Sequence, residues 1–328
     1  MFRNALRVAA DEEEETRTVD LQVGRSVHTV SGAMRTELWM SVLARNRGAG
    51  HAAAREYPEM LTRARPAVVD DSIEKDVGRT FPRVKRFTTP TGLASLERVL
   101  KAYAALDPEV NYCQGMNFLA ALLLVWLPRE DAAYGALVVL MRERGLRSLY
   151  ASDLAMLQAR LWQLGKLLPP RLAQHMEAFG TLPVLYASSW LLTAFSADFP
   201  LFFSARVMDV ILSDCYLMPI MKVALGIVLA CGDELLGMHD MEAMVDLLRF
   251  GVPQWPHERL QVLLTEALAA EWTPAQAAVL RRVSGVESVH DAVTRTSSAQ
   301  NGVRPSAPAP PEAETPDAAR PPPGWDQG

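Results

Sequence analysis

Residues 111–117 read Asn-Tyr-Cys-Gln-Gly-Met-Asn, a short polar stretch between two apolar helical runs. The dipeptide Asp107-Pro108 closes the run before it, because proline disfavours helical geometry in the preceding residue. The run that follows, residues 116–127, is almost wholly apolar and stops before Pro128. This pattern predicts a buried helix that begins with a short polar segment.

Two residues of this polar segment have properties that suit a binding loop. Gly115 allows the backbone to turn sharply or to approach a partner closely. Gln114 carries an amide that offers two donors and an acceptor. The segment is therefore the first candidate site in the chain.

A second unusual segment lies upstream, at residues 73–82, and reads Ile-Glu-Lys-Asp-Val-Gly-Arg-Thr-Phe-Pro. Ser72 precedes it and is predicted to cap a short helix that Phe81-Pro82 ends. We expect Arg79 near the end of that helix or in the loop after it. The basic residues that follow form a local patch in an acidic protein: Arg83, Lys85 and Arg86.

Apolar residues recur at helical spacing along most of the remaining chain. One amphipathic helix is predicted to contain Leu93, Leu96, Val99, Leu100, Tyr103 and Leu106. Another is predicted to be capped by Ser152 and to carry Leu154, Leu157, Leu161, Leu164 and Leu168 on one face. Later helices are predicted from Pro170 to Gly180, along Met241, Met244, Val245 and Leu248 to Gly251, from Pro256, and from Thr273-Pro274 to about Val293. No alternating runs bounded by hairpin turns occur, so the sequence predicts an all-α fold.

Composition argues against several classes of function. The net charge of −5 disfavours nucleic-acid binding, which usually needs a basic domain. The three cysteines, Cys113, Cys215 and Cys231, form no C-x-x-C pair and fit a reducing compartment. Residues 116–127 are too few to span a bilayer and residues 217–231 carry Lys222, so no transmembrane segment is predicted. The scattered histidines predict no zinc site.

The two ends of the chain differ in composition from its middle. Residues 1–24 are polar and contain five consecutive acidic residues, which favours a solvated disordered tail and leaves an acidic interaction motif as the alternative. Residues 294–328 are rich in proline and alanine and predict a second disordered tail. We therefore expect one folded domain over residues 25–293.

The two candidate segments together resemble the signature motifs of the TBC domain, the Rab GTPase-activating fold, which read I-x-x-D-x-x-R and Y-x-Q-G-M-N. Both motifs are complete here, and Arg79 and Gln114 lie 35 positions apart (114 minus 79). Asn111 stands where the family often has glycine. Three further blocks carry the resemblance over about residues 32–249: Arg35 with Trp39, residues 189–195, and residues 206–209 with Met208 in place of tryptophan.

The resemblance implies a single multi-helix domain that activates a small GTPase. The family's catalytic arginine and glutamine fall on Arg79 and Gln114, and these would act in trans on a GTP-bound Rab. An inserted arginine supplies positive charge to the transition state, worth about 10³–10⁵ in rate, and a glutamine can orient the attacking water. The chain would then be an activator rather than an enzyme, with no cofactor of its own, because the GTPase carries GTP and magnesium.

Four further residues are expected to support this site. Asp76 lies three residues before Arg79, on the same helix face, and can hold its guanidinium. Tyr112, Gly115 and Asn117 are expected to shape the loop rather than to react. The resemblance also implies a role in vesicle trafficking, in the cytoplasm, with peripheral recruitment to endomembranes.

Other interpretations of these residues stay open at this stage. Without the motif, Arg79 is an ordinary exposed arginine and Asp76 its surface ion-pair partner. A catalytically silent scaffold that docks a GTPase could share the fold. A helical hydrolase with Cys113 as nucleophile is a remote alternative, since free cysteines mostly behave as small hydrophobes. Gly232 and Gly237 are spaced as in a P-loop, but Met238-His239 follows, so the chain is not expected to bind nucleotide alone.

Overall fold

The computed structural model describes residues 32–45, 49–127, 129–151, 153–213 and 218–282. These residues form helices and turns, with no β-strand among them, so the predicted all-α fold is confirmed. Both predicted tails, residues 1–24 and 294–328, lie outside the described residues. The domain limits 25–293 therefore stay a prediction.

The first half of the described chain contains six α-helices. They are α1 (Gly32–Arg45), α2 (Ala49–Thr62), α3 (Ala67–Val77), α4 (Pro90–Leu106), α5 (Met116–Trp126) and α6 (Glu130–Val138). A 3₁₀-helical turn, Lys85–Thr88, precedes α4, and a π-helical turn, Val139–Glu143, continues α6. A second 3₁₀ turn, Leu146–Tyr150, follows.

The second half of the described chain contains ten α-helices. They are α7 (Ala155–Leu167), α8 (Pro170–Ala178), α9 (Pro183–Tyr186), α10 (Ser188–Thr193), α11 (Leu201–Ser213), α12 (Met218–Ala230), α13 (Gly232–Gly237), α14 (Met241–Asp246), α15 (His257–Ala269) and α16 (Pro274–Arg281). A π turn, Leu247–Gly251, and a 3₁₀ turn, Val252–Gln254, separate α14 from α15. No helix in the described ranges is both long and apolar enough to cross a membrane.

The apolar helix α5 lies at the centre of the first half. It contacts α1, α3, α4, α6, α10 and α11, and every residue from 119 to 124 has no exposed surface. A helix that is apolar on all sides must be covered on all sides, and these neighbours provide that cover. The prediction of a buried helix after the polar segment is confirmed, with Trp126 as its last residue.

Helix α3 begins earlier than predicted. The N-cap is Pro66, and Ser72 lies inside the helix, where its hydroxyl donates to the Val68 carbonyl at 2.8 Å. The prediction that Ser72 caps this helix was wrong, because a serine in mid-helix can bond the carbonyl four residues back. The apolar residues that the helix buries lie at intervals of four: Val69, Ile73 and Val77.

Helix α7 begins later than predicted. Leu154 has a positive φ of 52° and is 41% exposed, so it lies before the helix. The prediction that Leu154 belongs to the buried face of this helix was wrong. Ser152, the predicted cap, lies outside the described residues. The other predicted positions are buried: Leu157, Leu161, Leu164 and Leu168.

Two more predicted helix limits differ from the structure. The helix expected to run from Met241 to Gly251 ends at Asp246 and continues as the π turn. Thr273 does cap α16, with a reciprocal bond to Gln276, but the predicted extension to Val293 lies beyond the last described residue, 282.

A buried ion pair joins the start of the described chain to its second half. Asp209 on α11 accepts from Arg35 Nε at 2.8 Å and from Arg35 Nη2 at 2.9 Å, and from Trp39 Nε1 at 2.8 Å. Arg35 is 7% exposed and Asp209 is 1% exposed. The blocks at 35–39 and 206–209 are therefore in contact. Met208, in the second block, is a fully buried core residue.

Removal of one partner from this pair should destabilise the fold strongly. Asp209→Ala leaves the Arg35 charge buried without a counter-charge, so we expect the free energy of unfolding to fall by roughly 3–5 kcal/mol. Urea denaturation measures this loss. Asp240→Ala is the matched control, because it removes an aspartate that only caps α14 and should cost about 1 kcal/mol. Equal losses in the two variants would contradict the assignment.

Candidate functional site

The end of α3 presents Arg79 in a tight turn. The helix ends at Val77, and its last turn is tightened by bonds from the Arg79 amide to the Asp76 carbonyl and from the Thr80 amide to the Val77 carbonyl, both 3.2 Å. Phe81 follows with a φ of 46°, which stops any continuation of the helix. Arg79 therefore lies in the turn just after the helix, within the range that the sequence predicted.

The loop before α5 contains two residues in the left-handed region. Asn111 has a φ of 61° and Gly115 a φ of 109°. Asparagine adopts this region more readily than most residues, which explains how it stands where the family often has glycine. At Gly115 a side chain would be strained whatever the space around it, so the predicted sharp turn is what requires glycine.

The Asp76 carboxylate joins the two segments. Its Oδ1 accepts from Arg79 Nε at 2.9 Å and Arg79 Nη2 at 2.6 Å, and its Oδ2 accepts from the Tyr112 hydroxyl at 2.5 Å. Burial raises the pKa of Tyr112, and the bond to Asp76 acts in the same direction, so the phenol stays a donor. Because Asp76 is only 7% exposed, its bond to Arg79 is not an ordinary surface ion pair.

A second connection lies deeper, through Asn117. The Asn117 amide donates to Thr80 Oγ1 at 2.7 Å, and the Thr80 hydroxyl donates to the Asp76 carbonyl at 2.6 Å. The Asn117 Oδ1 accepts from the Gly115 amide at 3.0 Å. Both Thr80 and Asn117 are buried, at 1% and 0% exposure. This chain of bonds fixes the turn after α3 against the loop before α5.

Arg79 and Gln114 line the same open cleft, whose volume is about 540 Å³. Its other lining residues are Ser72, Lys75, Asp76 and Tyr112. The Arg79 side chain is 57% exposed, and within the described residues the exposed Gln114 amide has no hydrogen-bond partner. A guanidinium and a free amide thus share one solvent-accessible site.

Comparison with known proteins places the chain in a family. The sequence model of the Rab-GTPase-TBC domain matches residues 33–236, which is more than half of the chain. The chain belongs to the Rab-GTPase-TBC domain family. The resemblance drawn from the two motifs is therefore confirmed.

Individual relatives agree with this TBC assignment. The chain is 39% identical over 183 residues to human TBC1 domain family member 1, which is 54% of this chain and 16% of that protein. It is 35% identical over 196 residues to Rab GTPase-activating protein tbc-11 of Caenorhabditis elegans, 58% of this chain and 21% of that protein. The matched part is thus less than a quarter of either relative's length.

A solved structure has the same fold as this TBC domain. The Chlamydomonas flagellar RabGAP TBC domain superposes with a TM-score of 0.65 at 25% sequence identity. The superposition covers 77% of this chain and 84% of that chain.

The geometry of Cys113 in this TBC domain disfavours a thiol nucleophile. Its Sγ lies 3.6 Å from the Val110 carbonyl and 3.9 Å from the Tyr150 carbonyl, both hydrogen-bond acceptors. Burial raises the pKa of the thiol, which keeps it protonated and weakly nucleophilic. In the described part of the chain, no cluster of three metal-ligating side chains occurs.

Sequence reasoning missed Thr80 and Lys75. Thr80 follows Arg79 directly, yet its role depends on contact with Asn117, 37 positions away. Lys75 could have been found, because a residue four positions before Arg79 shares its helix face.

The Thr80 bond should contribute measurably to the stability of the TBC domain. Thr80→Val keeps the shape but leaves the buried Asn117 amide without its acceptor, so we expect a loss of about 1–3 kcal/mol in the free energy of unfolding. Urea denaturation measures it. Thr88→Val is the matched control, since the Thr88 hydroxyl is exposed and bonds only the Lys85 carbonyl, and should change stability by less than about 0.5 kcal/mol. A Thr80→Val variant as stable as the control would rule out the connection.

Proposed function

We propose that this domain is a GTPase-activating protein that stimulates GTP hydrolysis by a Rab-type small GTPase. The observation that carries the proposal is the cleft in which Arg79 and Gln114, from two separate segments, lie together. Membership of the TBC family and the similarity to the Rab GTPase-activating protein tbc-11 of Caenorhabditis elegans support it. By this proposal the chain contributes residues to the partner's active site and is not itself the hydrolytic enzyme.

Arg79 would supply positive charge to the transferred phosphoryl group. An arginine has five N–H donors, and Asp76 engages only Nε and Nη2. The remaining donors are not bound by Asp76 and can meet phosphate oxygens. Because Asp76, itself held by Tyr112, binds one edge of the guanidinium, Arg79 would reach the GTPase already oriented, which reduces the entropy lost on docking.

Gln114 would orient the attacking water. Its exposed amide can accept from the water and donate to a neighbouring carbonyl or phosphate oxygen. The backbone at this position is set by Gly115 and by the Asn117 side chain, so the amide is presented from a fixed loop. Asp76, Tyr112, Gly115 and Asn117 thus act as supports of the two reacting groups.

The partner would bring GTP and magnesium to the complex. The domain is proposed to meet the GTP-bound form of a Rab in the cytoplasm, on endomembranes to which it is recruited peripherally, and so to regulate vesicle trafficking. GTP titrated into the isolated domain should therefore give no saturable heat. Tight binding of GTP alone would contradict the proposal.

Loss of Arg79 should abolish most of the stimulation. Arg79→Ala is expected to lower stimulated phosphate release from a GTP-loaded Rab by about 10³-fold or more, because the charge on the phosphate oxygens is lost. Arg79→Lys should also fail, since a point charge on a flexible stem does not reproduce the planar fork. Gln114→Ala should have the same phenotype, and the double variant should cost much less than the sum if the two act as a unit.

The control for these variants is Arg83→Ala, which removes an exposed arginine that does not line the cleft. It should stimulate as the wild type does. Thermal melting of every variant separates lost chemistry from lost folding. Full stimulation by folded Arg79→Ala protein would exclude an arginine finger and would favour a domain that only docks the GTPase.

A further inference from the structure

One face of α3, continued by the turn after it, lines the cleft over about two helical turns. Ser72, Lys75 and Arg79 lie three and four residues apart, and all three line the cleft. Gly78 keeps right-handed helical angles, with φ of −61° and ψ of −21°, so the helical path continues to Arg79. The Lys75 side chain therefore lies about one helical turn, roughly 5.4 Å, behind Arg79 along the same cleft wall.

Two acidic residues near Lys75, Asp76 and Glu74, are engaged elsewhere. Asp76 binds Arg79 and Tyr112. Glu74 faces Lys101 on α4, whose ammonium lies 3.6 Å from it and 2.6 Å from Glu97. Within the described part of the chain Lys75 has no ion pair or hydrogen bond, although Asp71 lies one turn before it.

The cleft consequently carries a net positive charge. Lys75 and Arg79 contribute two positive charges and Asp76 one negative charge, which leaves a formal charge of +1 in the wall of a chain whose net charge is −5. An unpaired ammonium at the rim of such a site attracts an acidic group on a partner. A compact, strongly hydrated ammonium on a flexible stem suits an exposed carboxylate.

We propose that Lys75 is a docking residue that pairs with an acidic side chain on the surface of the GTPase, beside the phosphate site that Arg79 reaches. This inference rests on the proposed function and deepens it by assigning the chemistry of the partner surface. Lys75 contributes to ground-state binding, whereas Arg79 and Gln114 contribute to the transition state. Its effect therefore falls on KM and on the salt dependence of association.

Charge reversal tests this division of roles. With a GTP-loaded Rab that the wild-type domain stimulates, Lys75→Glu should raise KM for the Rab about tenfold and change kcat less than about twofold, because a rim charge acts on encounter and docking. Lys75→Gln should raise KM by a smaller factor. The KM of the wild type should rise with ionic strength, and that of Lys75→Gln should rise less steeply.

Lys166→Glu is the matched control. It makes the same change of charge on α7, at an exposed lysine that does not line the cleft, and should leave KM within about twofold because it changes no charge in the cleft wall. An unchanged KM in folded Lys75→Glu protein overturns the proposal. A loss of kcat at unchanged KM also overturns it, because Lys75 would then act on the phosphates in the transition state.

A binding measurement separates this proposal from the activator function. The dissociation constant of GTP-loaded Rab should rise about tenfold when Lys75→Glu is added to Arg79→Ala, since docking needs no turnover. If the wild type binds a Rab without stimulating it and Lys75→Glu weakens that binding, the activator function fails and the docking role stands. If no Rab in a purified panel binds the wild-type domain, both fail.

Discussion

The buried amide of Asn117 holds the two walls of the cleft at a fixed separation. It donates to Thr80 in the turn after α3 and accepts from Gly115 in the loop before α5. A primary amide is suited to this position because it donates and accepts at the same time. The exposed residues Arg79 and Gln114 owe their shared position to this residue, which has no exposed surface of its own.

Polar residues at such depth are stable only when their bonds are complete. The Thr80 hydroxyl donates a hydrogen bond to the Asp76 carbonyl. The Asp76 carboxylate accepts hydrogen bonds from Arg79 and Tyr112. A fully bonded network in a low dielectric is rigid, whereas one that lacks a partner is costly. The apolar faces of α3 and α5 exclude the water that would compete for these bonds.

Prediction from sequence was most successful where the signal was local. An apolar run predicted the buried helix α5, and two short motifs singled out Arg79 and Gln114, which the fold brings to one cleft. The failures at Ser72 and Leu154 have a common cause, because helix limits depend on which face is buried as well as on capping chemistry. Thr80 was missed for a related reason, because its role depends on Asn117, which only the folded chain brings close. Lys75 was missed although its position one helical turn before Arg79 can be seen in the sequence.

The same limit applies to the Arg35 and Asp209 blocks. Each was identified by its resemblance to the family, and neither indicated the other as its partner. The two residues are 174 positions apart, so no repeating pattern in either segment indicates that they pair. Arg79 and Gln114 differ from this pair, because the two motifs that contain them pointed to a shared site before the fold brought them to one cleft.

The long separation of Arg35 and Asp209 has a consequence for biosynthesis. During translation α1 is made well before α11. Until α11 follows, Arg35 and Trp39 lack the Asp209 carboxylate that they bind in the finished protein. Contacts of such high sequence separation are costly to form early and tend to close late in folding. The side of α1 that packs against α11 therefore stays uncovered until α11 is made, in the interval when newly made chains are most prone to aggregate.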